Sequence, residues 1–463
     1  MRQMIEGTIA HHRLLEAIDA PLITRYVPLK TIQQSVLDCD VQEKRLRRLP
    51  MWLVALLCIV RGVFAKESWS SALARLCLVP CLKAEHNLSE LPDKSALCLA
   101  RYRLGARPLA QLFKQVCHPV ATPQTPGAYR FGYRLVAIDT TFETVADSEA
   151  NETYFGRHRT RTGKSDGAFP LCQAIYLSEC STHIIFDAAI MPFRSNHHHY
   201  CKRMLRSVES DMLVMLDSGL LEFGTLQKII DIGAQFILPA KPGMKLTPIT
   251  YLEDGSYLAE MRCWKNGYCH DQPRLTVRVI PYTLDDPVRN PEGKTYRMIT
   301  SLLDPDAYPA DEIISLYHQR WEIELAIDEI DTHQRLVQTP FRSQKPVGVI
   351  QEFYALLLAY FIIGCWRHES AEQYELSPQQ LSFINGLRVI EHVFAIAQLL
   401  EDLAPLKALM YQWHLYFRLP PRDNRIYPRV VKRKMSKFPR KKPEDVSVKV
   451  PAFEDTICIL QRA

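Results

Sequence analysis

Residues 133–145 read YRLVAIDTTFETV, a β-rich run in which Asp139 follows Leu135-Val136-Ala137-Ile138. Two further runs of the same kind follow: PLCQAIYLSEC at 170–180 and HIIFDAAIMPF at 183–193. The short polar turn between them predicts a hairpin or meander. Beyond lies a helical stretch, HHHYCKRMLRSVES (197–210), then the short buried strand MLVMLD ending at Asp217, the helix LEFGTLQKIIDI (221–232) and the strand AQFILPA (234–240). Three antiparallel strands followed by β-α units describe an α/β fold with a mixed sheet and helices on both faces. From 244 to 299 short strands alternate with Gly, Asn, Asp and Pro turns, which reads as a β-rich insertion; YRMITSLLD (296–304) returns to the sheet, and a helix is expected over 310–335.

On either side the chain reads helical. WSSALARLCL and SALCLARYRLGARPLAQLFKQV lie in the first 120 or so residues, with Gly105 a helix stop and Pro108 the start of the next helix. A short Gly-containing turn between two helices, with Arg101, Arg103 and Arg107 nearby, has the form of a helix-turn-helix, although the second helix is mostly apolar. The Pro- and Thr-rich PVATPQTPG (119–127) marks a boundary. These patterns divide the chain into a helical region over 1–122, a sheet core over 128–243 and 300–345 that encloses the 244–299 insertion, a helical region over 346–417 and a tail over 418–463.

A chain of 463 residues has ample surface to bury, and its ordinary hydrophobic and charged fractions exclude wholesale disorder. The net charge of +6 is concentrated: between Arg418 and Lys442 stand eleven Lys or Arg against the single acid Asp423, so the remainder is mildly acidic. Such a tail points to a polyanionic partner, since it can displace counterions along a phosphate backbone. MRQMIEGTIA lacks the apolar core of a signal peptide. The longest apolar runs, 51–60 and 354–366, fall short of the roughly 20 residues that span a bilayer, so buried helices and no membrane are expected. Thirteen scattered cysteines, with no second pair to join Cys77 and Cys81, fit reduced thiols in the cytoplasm.

The chemistry-bearing residues are acids. Asp139 lies in a strand and Asp217 ends one, where side chains reach the crevice in which open α/β sheets place their sites. A third acid, Glu324, sits in YHQRWEIELAIDEID (317–331). There Leu316, Ile323, Ile327 and Ile330 form the apolar stripe, while Tyr317, Trp321, Glu324, Asp328 and Asp331 form a second one, with Arg320 beside it. Two strand carboxylates and a helix carboxylate can bind a pair of hard divalent cations, Mg2+ or Mn2+, and activate a hydroxyl toward a phosphodiester. His197-His198-His199 follows Ser195-Asn196 and reads as a capped helix start. No phosphate-binding glycine motif occurs.

Tyr317-x-x-Arg320-x-x-x-Glu324 resembles the Y-x2-R-x3-E-x6-K signature of DDE transposases of the insertion sequence 4 family. The similarity continues through SQKP (343–346), LSFINGLRVI (381–390), IYPRVVKRK (426–434) and SALCLARYRLG (95–105). The resemblance implies a ribonuclease H-like core with the β-rich insertion between Asp217 and Glu324. It further implies that Asp139, Asp217 and Glu324 are the catalytic, metal-binding acids, with Mg2+ as cofactor and Mn2+ as substitute. Tyr317 and Arg320 would then contact DNA phosphate, and Trp321 could stack on an unpaired base. The implied partners are DNA, namely terminal inverted repeats and target DNA, and a second copy of the chain as a homodimer. The implied chemistry is a nick followed by attack of the freed 3′-OH on the opposite strand or on target DNA. Three places depart from the family: D-T-T-F (139–142), D-S-G-L (217–220), and Asp331 where the family carries Lys. That reversed charge leaves a second reading, a catalytically inactive DNA-binding protein descended from a transposase.

Overall fold

The computed structural model describes residues 23–45, 49–76, 91–159, 166–262, 273–287, 289–335, 339–397, 404–420 and 451–460. Most of the basic tail, IYPRVVKRK and the Cys77 and Cys81 pair lie outside the described residues.

Five helices come first: α1 (Leu29–Asp38), α2 (Met51–Val63), α3 (Trp69–Leu76), α4 (Lys94–Leu104) and α5 (Arg107–Val116). Then follow β1 (Tyr129–Arg130), β2 (Tyr133–Thr144), α6 (Glu149–Phe155), β3 (Arg157–Arg159), β4 (Asp166–Glu179), β5 (Ile185–Pro192) and α7 (His197–Met204). Next are β6 (Met212–Leu216), α8 (Phe223–Ile232), β7 (Gln235–Pro239), β8 (Pro248–Tyr251), β9 (Tyr257–Arg262), β10 (Arg274–Leu284), β11 (Thr295–Thr300) and α9 (Ala310–His318). The last elements are α10 (Trp321–Asp328), a π-helical turn (Glu329–Gln334), α11 (Pro346–Gln373), α12 (Phe383–Ala397), α13 (Ala404–Tyr416) and β12 (Ile457–Ile459). They form two compact units, residues 1–208 with 321–419, and residues 209–320 with 420–463.

In the first unit β4 is the central strand, antiparallel to β2 along one edge and to β5 and β3 along the other. The register sets Asp139 opposite Tyr176. Around α11 pack α2, α5, α12, α13 and β5. The 354–366 run therefore lies inside a 28-residue helix that is long and apolar enough to cross a bilayer, yet is mostly buried within the protein. Every residue of α2 is buried as well. The two helices approach so closely that a Cβ at Gly62 would stand 2.4 Å from the Ala355 carbonyl oxygen, which only glycine avoids. The expected helix ends are present: Gly105 stops α4 at φ 70° and Pro108 stands in the first turn of α5; the structure adds a cap at the start of α4, where the Asp93 side chain accepts from Ala96 N at 2.7 Å. Asn196 caps α7 by accepting from His198 N. The linker over 119–127 is pinned by buried Glu179 of β4, which accepts from Val120 N and Thr182 Oγ1 and pairs with Arg134.

In the second unit β6 and β7 are parallel, joined through α8, and the sheet continues β7-β11-β10-β9-β8 with antiparallel neighbours, β12 adding to β10. The short strands of the 244–299 stretch thus extend the sheet that β6 and β7 begin. Arg278 of β10 is fully buried, and it is held by Asp254, by Ser256 Oγ at 2.8 Å and by the Tyr308 carbonyl at 2.6 Å. The fold is mixed α/β, as the alternating patterns predict.

One expectation needs correction. The helix over 310–335 is not continuous: α9 ends at His318, α10 begins at Trp321, and the backbone widens into a π-turn from Glu329. The apolar spacing persists across these breaks because Leu316, Ile323 and Ile330 are all still buried, so periodicity alone does not reveal them.

Candidate active site

Asp139 lies within β2, half-buried, with its Oδ1 accepting from Thr140 N at 2.7 Å. Glu324 stands in the first turn of α10, half-buried, and α10 packs against β2. The first unit therefore brings together the strand of one acid and the helix of another. Asp217 belongs to the second unit. It ends β6 and caps the 3-10 turn Ser218–Leu220, its Oδ2 accepting from Gly219 N at 3.3 Å.

Tyr317 and Arg320 belong with Asp217. The Tyr317 hydroxyl donates to the Leu216 carbonyl at 3.1 Å, next to Asp217, and the Arg320 guanidinium lies 5.8 Å from the Tyr317 ring centroid. Burial, with the Asp217 charge adding to it, pushes the Tyr317 phenol well above its usual range, so the hydroxyl keeps its proton. Trp321 is 52% exposed, which removes core packing as the reason for a tryptophan there. Among the described residues, no group of three or more His, Cys, Asp or Glu side chains could hold a metal ion as arranged. In chemistry, the three acids offer only carboxylate oxygens, the donor type suited to a hard divalent cation.

Two buried networks in the first unit fix α10 and the turn after it, and neither is legible from motif spacing. In one, His183 Nε2 donates to Glu322 Oε2 (2.7 Å) and its Nδ1 lies 3.2 Å from Glu329 Oε2. Glu329 also accepts from Tyr360 at 2.6 Å and Arg367 at 2.7 Å, and Arg367 reaches the Thr182 carbonyl. Burial opposes a charged His183, but Glu329 and Glu322 outweigh it and hold the imidazole above its usual value. Burial likewise opposes the Glu329 carboxylate, yet Arg367 and His183 hold it well below the usual range. A left-handed backbone at His183, φ 62°, aims the ring from the β4–β5 turn into this cluster.

The second network changes the reading of Asp331. Its carboxyl does not stand as an isolated negative charge in place of a lysine. Arg335 Nη1 donates to Glu143 Oε2 at 2.7 Å and reaches Asp331 Oδ1 at 3.5 Å, and its guanidinium covers the Phe341 ring at 4.1 Å. Burial, then the adjacent Glu143 carboxylate to which it is hydrogen-bonded, pushes Asp331 up to about 9. Glu143 Oε1 is buried and has no other donor in reach, as expected if Asp331 supplies the proton between them. Glu143 lies on β2 and Asp331 follows α10, so this network too joins the strand of Asp139 to the helix of Glu324.

Residues 18–114 match the insertion element 4 transposase N-terminal family, and residues 130–362 match the transposase DDE domain. The chain is 24% identical to the InsG transposase for insertion sequence element IS4 of Escherichia coli K12, over 91% of this chain and 94% of that one. The InsZ chain of the same strain is 28% identical over 44% of this chain and 66% of its own length. Among solved structures, a piggyBac transposase synaptic complex with hairpin DNA matches over 94% of this chain and 87% of that chain, at 13% identity and a TM-score of 0.41.

Proposed function

This chain belongs to the DDE transposases of the insertion element 4 family, and on that premise we propose that Asp139, Asp217 and Glu324 are its catalytic acids within a ribonuclease H-like core. The observation that most supports the assignment is the bond from Tyr317 to the Leu216 carbonyl, which couples the Tyr317/Arg320 motif to the strand end bearing Asp217. As a DDE transposase the chain cleaves and joins DNA with divalent metal. The three acids would hold Mg2+, or Mn2+ in its place. When bound, such ions activate the attacking oxygen and stabilise the leaving one.

The protein's own groups do the rest. Arg320 presents a guanidinium fork to a backbone phosphate. Tyr317 anchors the β6 end and contacts phosphate by exchanging its bond to Leu216 O. Exposed Trp321 offers a ring on which an unpaired base can stack. The DNA substrates are the element's terminal inverted repeats and a target duplex, and the working assembly is a homodimer on paired ends in the cytoplasm.

The test is Mg2+- or Mn2+-dependent cleavage of a labelled duplex carrying the element's terminal repeat. The native chain should cleave it, and Asp139→Asn, Asp217→Asn and Glu324→Gln should each abolish cleavage while still binding. Cleavage that survives any one of the three removes that residue from the site. Binding by the native chain without any cleavage would instead favour the inactive descendant.

A further inference from the structure

The first unit holds an unbalanced group of arginines that the proposed site does not use. Arg61 on α2 is 9% exposed, and Arg101 on α4 is 6% exposed. Both face Trp69 at the start of α3, with guanidinium carbons 5.7 and 3.6 Å from its ring. Arg342 approaches from the segment before α11, donating to the Glu67 carbonyl at 3.1 Å. Carboxylate compensation is thin: Arg101 Nη2 donates to Ser343 Oγ at 3.0 Å and lies 3.5 Å from Glu352, which also accepts from Arg342 N, while Glu67 is engaged by Arg75. Arg61 donates to the Phe64 carbonyl at 3.1 Å, and its Nε, like that of Arg101, is buried with no partner. Burial, with Arg342 and Arg101 adding repulsion, pulls the Arg61 guanidinium down to about 10. Of these residues, Arg61, Trp69, Arg342 and Glu352 line a cleft of about 50 Å³ whose wall also includes Arg335, Thr339 and Phe341. That is room for roughly four water-sized groups, the scale of a phosphate and not of a base.

Buried guanidinium donors without acceptors are costly unless an anion completes them. Guanidinium forks match phosphate oxygens. We propose that the cleft between Arg61, Trp69 and Arg342 is a phosphate-binding notch that takes one backbone phosphodiester of bound DNA, outside the acid cluster. The inference rests on the DNA-transposase reading for its ligand but not on the identity of the catalytic acids. The notch contributes affinity without base readout, since phosphate contacts position a duplex and do not read its sequence.

The test measures duplex binding by the full chain against salt, for native protein, Arg342→Gln and Arg61→Gln, on the element's end and on an unrelated duplex. Arg342 is exposed, so its variant keeps the test open if Arg61→Gln fails to fold. Each folded variant should weaken binding to both duplexes by the same factor and reduce the log–log salt slope by about 0.9, so that native protein loses roughly threefold more affinity than the variant between 50 and 200 mM salt. In parallel, the melting temperature of the DNA-free chain in inorganic phosphate and in chloride at equal ionic strength should differ for native protein, and the difference should shrink in the variants. An unchanged salt slope in a folded variant overturns the proposal. A phosphate-dependent melting shift with an unchanged slope overturns the DNA assignment in favour of a free phosphate ligand. Loss of cleavage by the acid variants leaves these binding readouts untouched, so the two readings fail separately.

Discussion

Replacing Asp331 by Asn should make the protein's stability less dependent on pH. Folded Asp331 holds its proton to about 9, whereas an unfolded Asp releases it near 3.9. Between those values the native state binds the extra proton. Its stabilising contribution is therefore complete below the ordinary carboxyl range and is lost as pH rises toward 9. A full proton of difference gives a slope of about 1.4 kcal/mol per pH unit. The Asp331 side chain keeps 30% of its surface exposed, and solvent screening there brings the expected slope to about 0.5 kcal/mol per unit. Urea unfolding at pH 6 and pH 8 should then show native protein losing about 1 kcal/mol more than Asp331→Asn, whose amide donates to Glu143 without titrating. Taking the difference between the two proteins cancels groups such as His183 that titrate in both. Equal losses would refute the shared proton. Asp331→Lys, which restores the residue type of the family signature, should destabilise, because an ammonium would then lie beside Arg335.

Other substitutions separate positioning from packing. His183→Gln should cost about 3–5 kcal/mol in thermal or urea unfolding, since it removes the buried imidazole between half-buried Glu322 and buried Glu329; a change under 1 kcal/mol would mean the cluster does not hold α10. Gly62→Ala should cost at least about 1–3 kcal/mol, because its Cβ meets backbone of α11 and not a movable side chain. Trp321→Ala should leave stability within about 0.5 kcal/mol and weaken binding to DNA with an unpaired end by about 1–3 kcal/mol. Equal affinity in a binding titration would remove the stacking role. Tyr317→Phe should slow cleavage more than it weakens DNA binding, if the hydroxyl serves to anchor the β6 end at Leu216.

The strands and helices were legible because their patterns are local. YRLVAIDTTFETV became β2, Gly105 stops α4, and Asn196 caps α7, each through neighbours a few residues away. The apolar run over 354–366 was legible as buried, but not the length of the helix around it, since that depends on which flanking polar residues find partners. Arg367 and Ser370 are buried in α11 because Glu329 and the Trp366 carbonyl receive them. The break at Gln319 and Arg320 had no local signal, because buried residues recur on both sides of it.

Composition and the Tyr317/Arg320/Glu324 spacing were determined by the sequence itself, and that spacing, with SQKP and SALCLARYRLG, carries the resemblance to the family. The ionisation and surroundings of Asp331 were decided only by tertiary structure. A carboxylate in a sequence has its solution pKa, and Asp331 on its own reads as a charge. Burial beside Glu143, nearly two hundred residues away in the chain, makes the shared proton cheaper than two desolvated negative charges, and Arg335 neutralises the one that remains. The same holds for Glu329, whose charge persists in the core because Arg367 and His183 both face it.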